Sequence, residues 1–280
     1  MVSCSRAGDL LGESMSPTAI MDQFRLDGKV AFVTGGSRGL GEAMALGLAA
    51  AGADLALSGR KPETLEPVAE EARRLGRRAL VVPFDVANRE EHAPAVAQIL
   101  AELGRIDILV NNAGMNVRRE SADYLPEDWA RVLDTNLTGA FFLTQEVGKH
   151  MIQERRGKIL NISSMTAFLG LPTVPAYTAT KAALQQLTKL LAVEWAEYNI
   201  QVNAIAPGWF HTEMTSALKG TSRYDWVVGR TPAGRFEEPV ELAGAAVFLG
   251  SPAADFVTGQ VIAVNGGILA GADWRKPGAS

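Results

Sequence analysis

The chain has 280 residues, of which 47% are hydrophobic and 21% charged, and a net charge of −4. This is the composition of a folded protein with room for one large domain or two small ones. The mild acidity gives no overall attraction to nucleic acid or to an anionic membrane surface, and no apolar run approaches the roughly 20 residues of a membrane helix. Cys4 is the single cysteine, which excludes an intramolecular disulfide and a cysteine-based metal cluster. His92, His150 and His211 are scattered, so no metal site is expected.

Residues 1–24 carry Gly, Ser, Pro, Asp and Glu without a basic start followed by an apolar stretch. They read as a loose extension rather than a secretion signal, with Met15 and Met21 as alternative starts and the cytoplasm as the expected compartment. From Lys29 to Thr34 the run Val30-Ala31-Phe32-Val33 is continuously apolar, the pattern of a strand buried on both faces of a parallel sheet. Gly35-Gly36-Ser37-Arg38-Gly39-Leu40-Gly41 follows, and Ala43, Met44, Leu46, Leu48 and Ala51 then recur at helical spacing until Gly52.

A second strand is expected over Asp54 to Leu57, then Ser58-Gly59-Arg60 and a helix opened by Pro62 and Glu63. A third strand, Ala79 to Phe84, ends in Asp85-Val86, and a helix runs from about Arg89 to Leu103. A fourth, Ile106 to Val110, runs into Asn111-Asn112-Ala113-Gly114. Pro126 starts one long helix, Lys158 to Ile162 is a fifth strand, and a helix carrying Tyr177 continues to about Tyr198. Gln201 to Ile205 is a sixth strand. After an irregular stretch, Pro239 opens a helix to about Gly250, and Val261 to Val264 is a seventh strand. Strands alternating with helices predict an α/β fold: a doubly wound, mainly parallel, seven-stranded Rossmann-like sheet with helices on both faces. No linker interrupts the alternation, so residues 25–280 are expected to form one domain.

Three features carry chemistry. Gly35-x-x-x-Gly39-x-Gly41 lies between a strand and a helix, the context of a dinucleotide-binding turn: glycine admits the pyrophosphate and the helix N-terminus attracts its charge. After the second strand, where a carboxylate would grip a free ribose 2′-hydroxyl, stand Gly59 and Arg60, and Arg38 adds a cation within the turn. NADP is therefore favoured over NAD. Tyr177 and Lys181 lie four apart just past Pro175, on one helix face. An ammonium beside a phenol lowers its pKa, as an acid–base tyrosine requires. Such a pair also occurs by chance in many helices. Asn136 falls among Trp129, Leu133, Leu137, Ala140 and Phe141, so its amide is either a structural hydrogen-bonding post or part of a proton relay.

Thr34-Gly-x-x-x-Gly-x-Gly41, Asp85, Asn111-Asn-Ala-Gly114, Asn136, Ser164, Tyr177, Lys181 and Pro207-Gly208 stand in order, and over residues 25 to 270 the chain resembles the short-chain dehydrogenase/reductase family. The resemblance implies a tetrad of Asn136, Ser164, Tyr177 and Lys181. Tyr177 would exchange a proton with the carbonyl or hydroxyl oxygen, Ser164 would bond that oxygen, Lys181 would lower the tyrosine pKa and hold the nicotinamide ribose, and Asn136 would hold a water. It also implies that Gly35, Ser37, Arg38, Gly39, Leu40, Gly41 and Arg60 contact the cofactor. Asp85 and Val86 would lie near adenine, Asn112, Ala113 and Gly114 along the cofactor, and Pro207, Gly208 and Thr212 near the carboxamide. A homotetramer assembled through the helices of Tyr177 and Asn136 is expected on the same ground.

The family keeps a substrate lid at about 209–236, where Trp209, Phe210, Met214, Leu218, Tyr224 and Trp226 are candidates for a pocket wall, and equally for lid core or subunit contact. Arg118 and Arg119 follow the Asn-Asn-Ala-Gly turn and are candidates to clamp a substrate carboxylate bidentately. Glu194-Trp195-Ala196 and Trp226-x-x-x-Arg230-Thr-Pro-Ala233 resemble the gluconate 5-dehydrogenase branch, which implies a sugar acid as the small-molecule substrate. Gly114-Met-Asn-Val-Arg118 has a spacing also seen in tropinone-reductase-like members. Two rivals stand beside it. A 3-oxoacyl-carrier-protein reductase needs a basic docking patch, which acidic Glu194 and Glu197 disfavour. A non-catalytic NADP-binding regulatory protein has no need of Tyr177 or Lys181.

Overall fold

A computed structural model describes residues 17–271. Its sheet contains β1 (Val30–Thr34), β2 (Asp54–Gly59), β3 (Ala79–Pro83), β4 (Ile108–Asn111), β5 (Gly157–Ile162), β6 (Ile200–Pro207) and β7 (Val261–Val264). All neighbours pair in parallel, in the order β3-β2-β1-β4-β5-β6-β7. β1, β4 and β6 are buried along their whole length, which explains their unbroken apolar runs. One apolar layer joins Ala31, Val33, Leu55, Leu57 and Val110 to the helices on one face. The other joins Phe32, Leu109, Ile159 and Val202 to the helices on the opposite face. The strand order reverses direction between β1 and β4, and a crevice at the carboxyl ends of these two strands is where such a sheet receives a ligand.

The helices are α1 (Gly39–Ala50), α2 (Pro62–Arg74), α3 (His92–Leu103), α4 (Pro126–Leu133), α5 (Gly139–Glu154), α6 (Pro175–Glu194), α7 (Glu213–Ser216), α8 (Ser222–Arg230) and α9 (Ala243–Gly250). Several differ from the sequence expectation, each for a local reason. The long helix after Pro126 is two helices joined by a π-helical turn, Asp134–Thr138, so the apolar face assumed to be continuous changes register and Trp129 stands 41% exposed. α6 stops at Glu194, and Ala196–Tyr198 is a separate 3-10 turn ended by Asn199 in the left-handed region. Pro239–Leu242 is likewise 3-10 before α9 begins. The stretch read as irregular contains α7 and α8. The expected extension over 1–24 falls partly outside the described residues; Pro17–Phe24 form a 3-10 helix, and the Phe24 ring lies 6.2 Å from that of Phe248 on α9.

Candidate active site

The glycine turn and the Asn-Asn-Ala-Gly turn are fastened to each other before any ligand is considered. The Thr34 hydroxyl donates to the Val110 carbonyl at 3.2 Å and accepts from the Asn112 and Ala113 amides, both at 3.0 Å. The Asn112 side chain donates to the carbonyls of Thr34 and Gly35, at 2.9 and 3.0 Å. Asn112 therefore shapes the turn with its side-chain amide. A Cβ on Gly41 would lie 2.1 Å from the Gly35 carbonyl oxygen and 2.5 Å from Asn112 Nδ2, and Gly35 and Gly39 have φ of +64° and +58°. No side chain caps α1, whose N-cap residue is Arg38. A helix start left open behind a glycine cradle fits a pyrophosphate, which would take up the unpaired N–H groups.

Arg60 follows directly after β2 and is exposed, with no ion-pair partner among the described residues. Arg38 is exposed too, but it is paired with Glu213 at the start of α7. Asp85 accepts from the Ala87 amide at 3.0 Å, while its own N–H donates to Glu91. Val86 offers its carbonyl to buried His92 at 2.9 Å. Thr212 caps α7, and its methyl lies 3.5 Å from the position of a Cβ on Gly39. Gly208 lies against the Asn265 backbone, where a Cβ would approach to 2.7 Å, and Pro207 ends β6.

Asn136 is 1% exposed and sits in the π turn. Its Oδ1 accepts from the Met115 amide at 2.8 Å, and its Nδ2 donates to the Met115 carbonyl at 2.8 Å and the Thr180 hydroxyl at 3.3 Å. It therefore clamps the loop after β4 to α6. Gly139, which the sequence reading passed over, makes this possible. A Cβ there would lie 2.2 Å from the Val86 carbonyl oxygen, so the chain passes the β3 loop only as glycine. A glycine inside an apparent helix was the available signal.

Ser163 and Ser164 divide their work. Ser163 donates to the Lys181 carbonyl at 2.9 Å and accepts from Gln185 at 3.0 Å. Ser164 accepts from the Thr166 amide at 3.1 Å, and its hydroxyl also interacts with the Tyr177 phenol. Lys181 is 4% exposed, donates to the Ile162 carbonyl at 2.6 Å, and has its Nζ 5.6 Å from the centre of the Tyr177 ring.

The electrostatics correct one expectation. Burial raises the Tyr177 pKa, and Ser164 and the positive charge of Arg118 oppose it; Lys181 is not among these influences. Burial also lowers Lys181, to about 8. With a pKa of about 8, Lys181 is still mostly protonated at pH 7, and its ammonium donates to the Ile162 carbonyl. Burial thus keeps the Tyr177 phenol protonated, while Lys181 titrates within reach of neutral pH.

The two candidate arginines separate. Arg119 reaches Asp128 at 3.4 Å, and its backbone N–H donates to the carbonyl of Thr173, a β-branched residue at φ +70°. Arg131 also pairs with Asp128, at 2.7 Å. Arg118 has no carboxylate partner among the described residues, and its charge is felt at Tyr177. In the excursion after Gly208, Tyr224 stacks on Phe236 at 4.5 Å, His211 on Phe236 at 5.1 Å, and Trp209 lies 6.1 Å from Phe236. Phe210 is buried. Met214 and Trp226 are exposed, at 55% and 42%. Trp209 and Tyr224 therefore pack within the excursion around Phe236, while Phe210 joins the core beneath the sheet. Glu237, not anticipated, is 6% exposed at its base, and burial and the charge of Glu241 raise it to about 7 against the opposing charge of Arg235.

A protein-family model described as enoyl-(acyl carrier protein) reductase matches residues 35–269. The chain is 44% identical over 248 residues to a gluconate 5-dehydrogenase of Gluconobacter oxydans, covering 88% of this chain and 97% of that one. It is 45% identical over 255 residues to a 2-dehydro-3-deoxy-D-gluconate 5-dehydrogenase of Escherichia coli, covering 90% and 99%. A crystal structure of a gluconate 5-dehydrogenase from Burkholderia cenocepacia, in complex with NADP and tartrate, superposes with a TM-score of 0.87 at 43% identity, covering 90% of this chain and 99% of that one. With the parallel sheet, the glycine cradle and these matches together, the chain belongs to the short-chain dehydrogenase/reductase family.

Proposed function

We propose that the protein is an NADP(H)-dependent oxidoreductase interconverting a secondary alcohol and a ketone on a sugar acid of the gluconate/5-ketogluconate type. Relatives named for gluconate and 2-dehydro-3-deoxygluconate support the substrate class, and a relative solved with NADP and tartrate supports both the cofactor and an oxygen-rich carboxylate ligand. The observation that carries the reading in this chain is Arg118, a guanidinium with no carboxylate partner among the described residues, whose charge reaches the Tyr177 phenol. Its planar fork suits a carboxylate, held while another carbon of the same chain sits at the tyrosine.

The chemistry a bound nicotinamide supplies is hydride transfer. In reduction, the Tyr177 phenol protonates the carbonyl oxygen and the Ser164 hydroxyl bonds the same oxygen as charge develops on it. Lys181, with its pKa near 8, returns a proton to Tyr177. Asn136 fixes the Met115 loop and α6 at their working separation. Gly35, Ser37, Gly39, Leu40 and Gly41 receive the pyrophosphate, Arg38 and Arg60 the 2′-phosphate, and Asp85 and Val86 flank the adenine. Asn112 to Gly114, Pro207, Gly208 and Thr212 line the remaining length. The excursion 209–236 acts as the lid, with Trp209 and Met214 facing the substrate when it closes.

Among the described residues no helix is long and apolar enough to cross a membrane. A cytoplasmic homotetramer is part of the proposal. α6 leaves Leu190 and Val193 exposed, at 55% and 81%, a stripe that a second copy would cover.

Nicotinamide absorbance with NADPH or NADH, followed against 5-ketogluconate, 2-dehydro-3-deoxygluconate oxidised at its fifth carbon, cyclic ketones and an acetoacetyl thioester, tests the reading. Sugar acids with NADPH are expected to turn over fastest, and Arg118→Met is expected to raise KM for them by about tenfold or more, the scale of one charged hydrogen-bonded contact. Turnover of the thioester alone would overturn the sugar-acid assignment.

A further inference from the structure

The two arginines assigned to the 2′-phosphate are not in the same state. Arg60 has no ion-pair partner among the described residues, whereas Arg38 is paired with Glu213 across the gap between the glycine turn and the lid. The side chains are 72% and 68% exposed. Among the described residues, this pair is the side-chain link between α7 and the body of the domain. The other side-chain bonds of Thr212 to Ser216 stay within the lid: Thr215 to the Phe210 and Thr212 carbonyls, and Ser216 to the Glu213 carbonyl. The neighbouring Thr212 already lies over Gly39. The carboxylate of Glu213 thus occupies a cation that the cofactor would use.

We infer that Glu213 is a cofactor-specificity residue: it competes with the 2′-phosphate of NADP for Arg38, so that the 2′-phosphate releases the lid from the glycine turn and a free 2′-hydroxyl does not. The competition has a definite winner. An exposed carboxylate–guanidinium pair is a weak interaction, screened by solvent and costly in side-chain freedom. A phosphate brings about −1.5 to −2 charge and three acceptor oxygens to the same fork, against a single charge on the carboxylate, and is held in place by the rest of the dinucleotide. NADP therefore displaces Glu213, at a small cost in affinity. NAD has no 2′-phosphate, and its pyrophosphate is taken up by the N–H groups of the glycine turn, so the pair stays intact. The inference rests on the reading of Arg38 as a 2′-phosphate ligand.

The test is calorimetric titration of the purified full chain with NADP+ and with NAD+, for the wild type, Glu213→Gln, Arg38→Gln and the double variant. Glu213→Gln is expected to tighten NADP+ about two- to fivefold, the range of an exposed pair, and to leave NAD+ unchanged. In the Arg38→Gln background the same substitution should change nothing, since its effect requires the guanidinium. An equal gain for both cofactors, a gain that persists without Arg38, or no gain at all would each overturn the inference. Arg38→Gln itself should weaken NADP+ selectively; if it affects neither cofactor, the underlying assignment of Arg38 fails, a result distinct from failure at Glu213.

Discussion

The body of the site and the lid are built on opposite principles. In the body, the polar groups are buried and held by long-range bonds: Asn136 joins the β4 loop to α6, Asn112 joins β1 to β4, and Lys181 bonds the end of β5. In the lid, the side-chain hydrogen bonds are local, as in the reciprocal capping of Thr212 and Thr215 and the Thr221 cap of α8, and Trp209, His211 and Tyr224 gather around Phe236. The lid is joined to the body by the short pairing of Phe210 with Glu237, by the Ala233 amide donating to the Gly266 carbonyl at 3.0 Å, and by the exposed Arg38–Glu213 ion pair. On the proposed function, this arrangement would put the proton chemistry on the rigid part and the choice of substrate on the part with least cooperative support.

Three substitutions sharpen the contrast. Tyr177→Phe should abolish turnover, by about a thousandfold or more, the upper range for a lost acid–base group, while cofactor titration shows binding largely intact. Residual activity near wild type would remove Tyr177 from the reaction. Asn136→Ala leaves the Met115 amide and carbonyl and the Thr180 hydroxyl short of a buried partner and should cost about 3 kcal/mol of stability, read from denaturant unfolding. The same truncation in the lid, Thr221→Ala, removes a cap and should cost about 1 kcal/mol or less, so equal losses at the two positions would contradict the distinction between body and lid.

An effect of similar size is expected at the lid's base, and it depends on pH. Glu237 has a folded-state pKa near 7 against an ordinary 4.5, so the folded protein binds the extra proton between those values. Stability from this group is therefore greatest below about pH 4.5 and is lost as the pH rises toward 7. Glu237→Gln removes the ionisation and should raise the melting temperature at pH 8, by the equivalent of about 1 kcal/mol, with the advantage fading toward pH 4.5. A pH-independent difference would show that the carboxyl does not titrate in that range.

The alternation of apolar runs with helical patterns, the glycine turn and the order of the strands were legible in the chain because each is a local signal: periodicity, a turn residue, a proline at a helix start. All seven strands lie within a few residues of their expected positions. The π turn was not legible, because it depends on Gly139 meeting the Val86 carbonyl from a different strand's loop. Arg118 and Arg119 are adjacent and chemically identical in sequence; only the placement of Asp128 on α4 ties up one, while the charge of the other is felt at Tyr177.

The sequence by itself determined the fold class and which residue types meet at the crevice, since buried parallel strands and phosphate turns impose their composition locally. The tertiary structure decided the charge states and the pairings. Burial, which no single stretch encodes, holds Tyr177 as a neutral phenol and brings Lys181 to about 8, reversing the direction that their spacing alone implied. The same holds for Arg38, whose partner Glu213 is distant in the chain and adjacent only because the lid returns over the glycine turn.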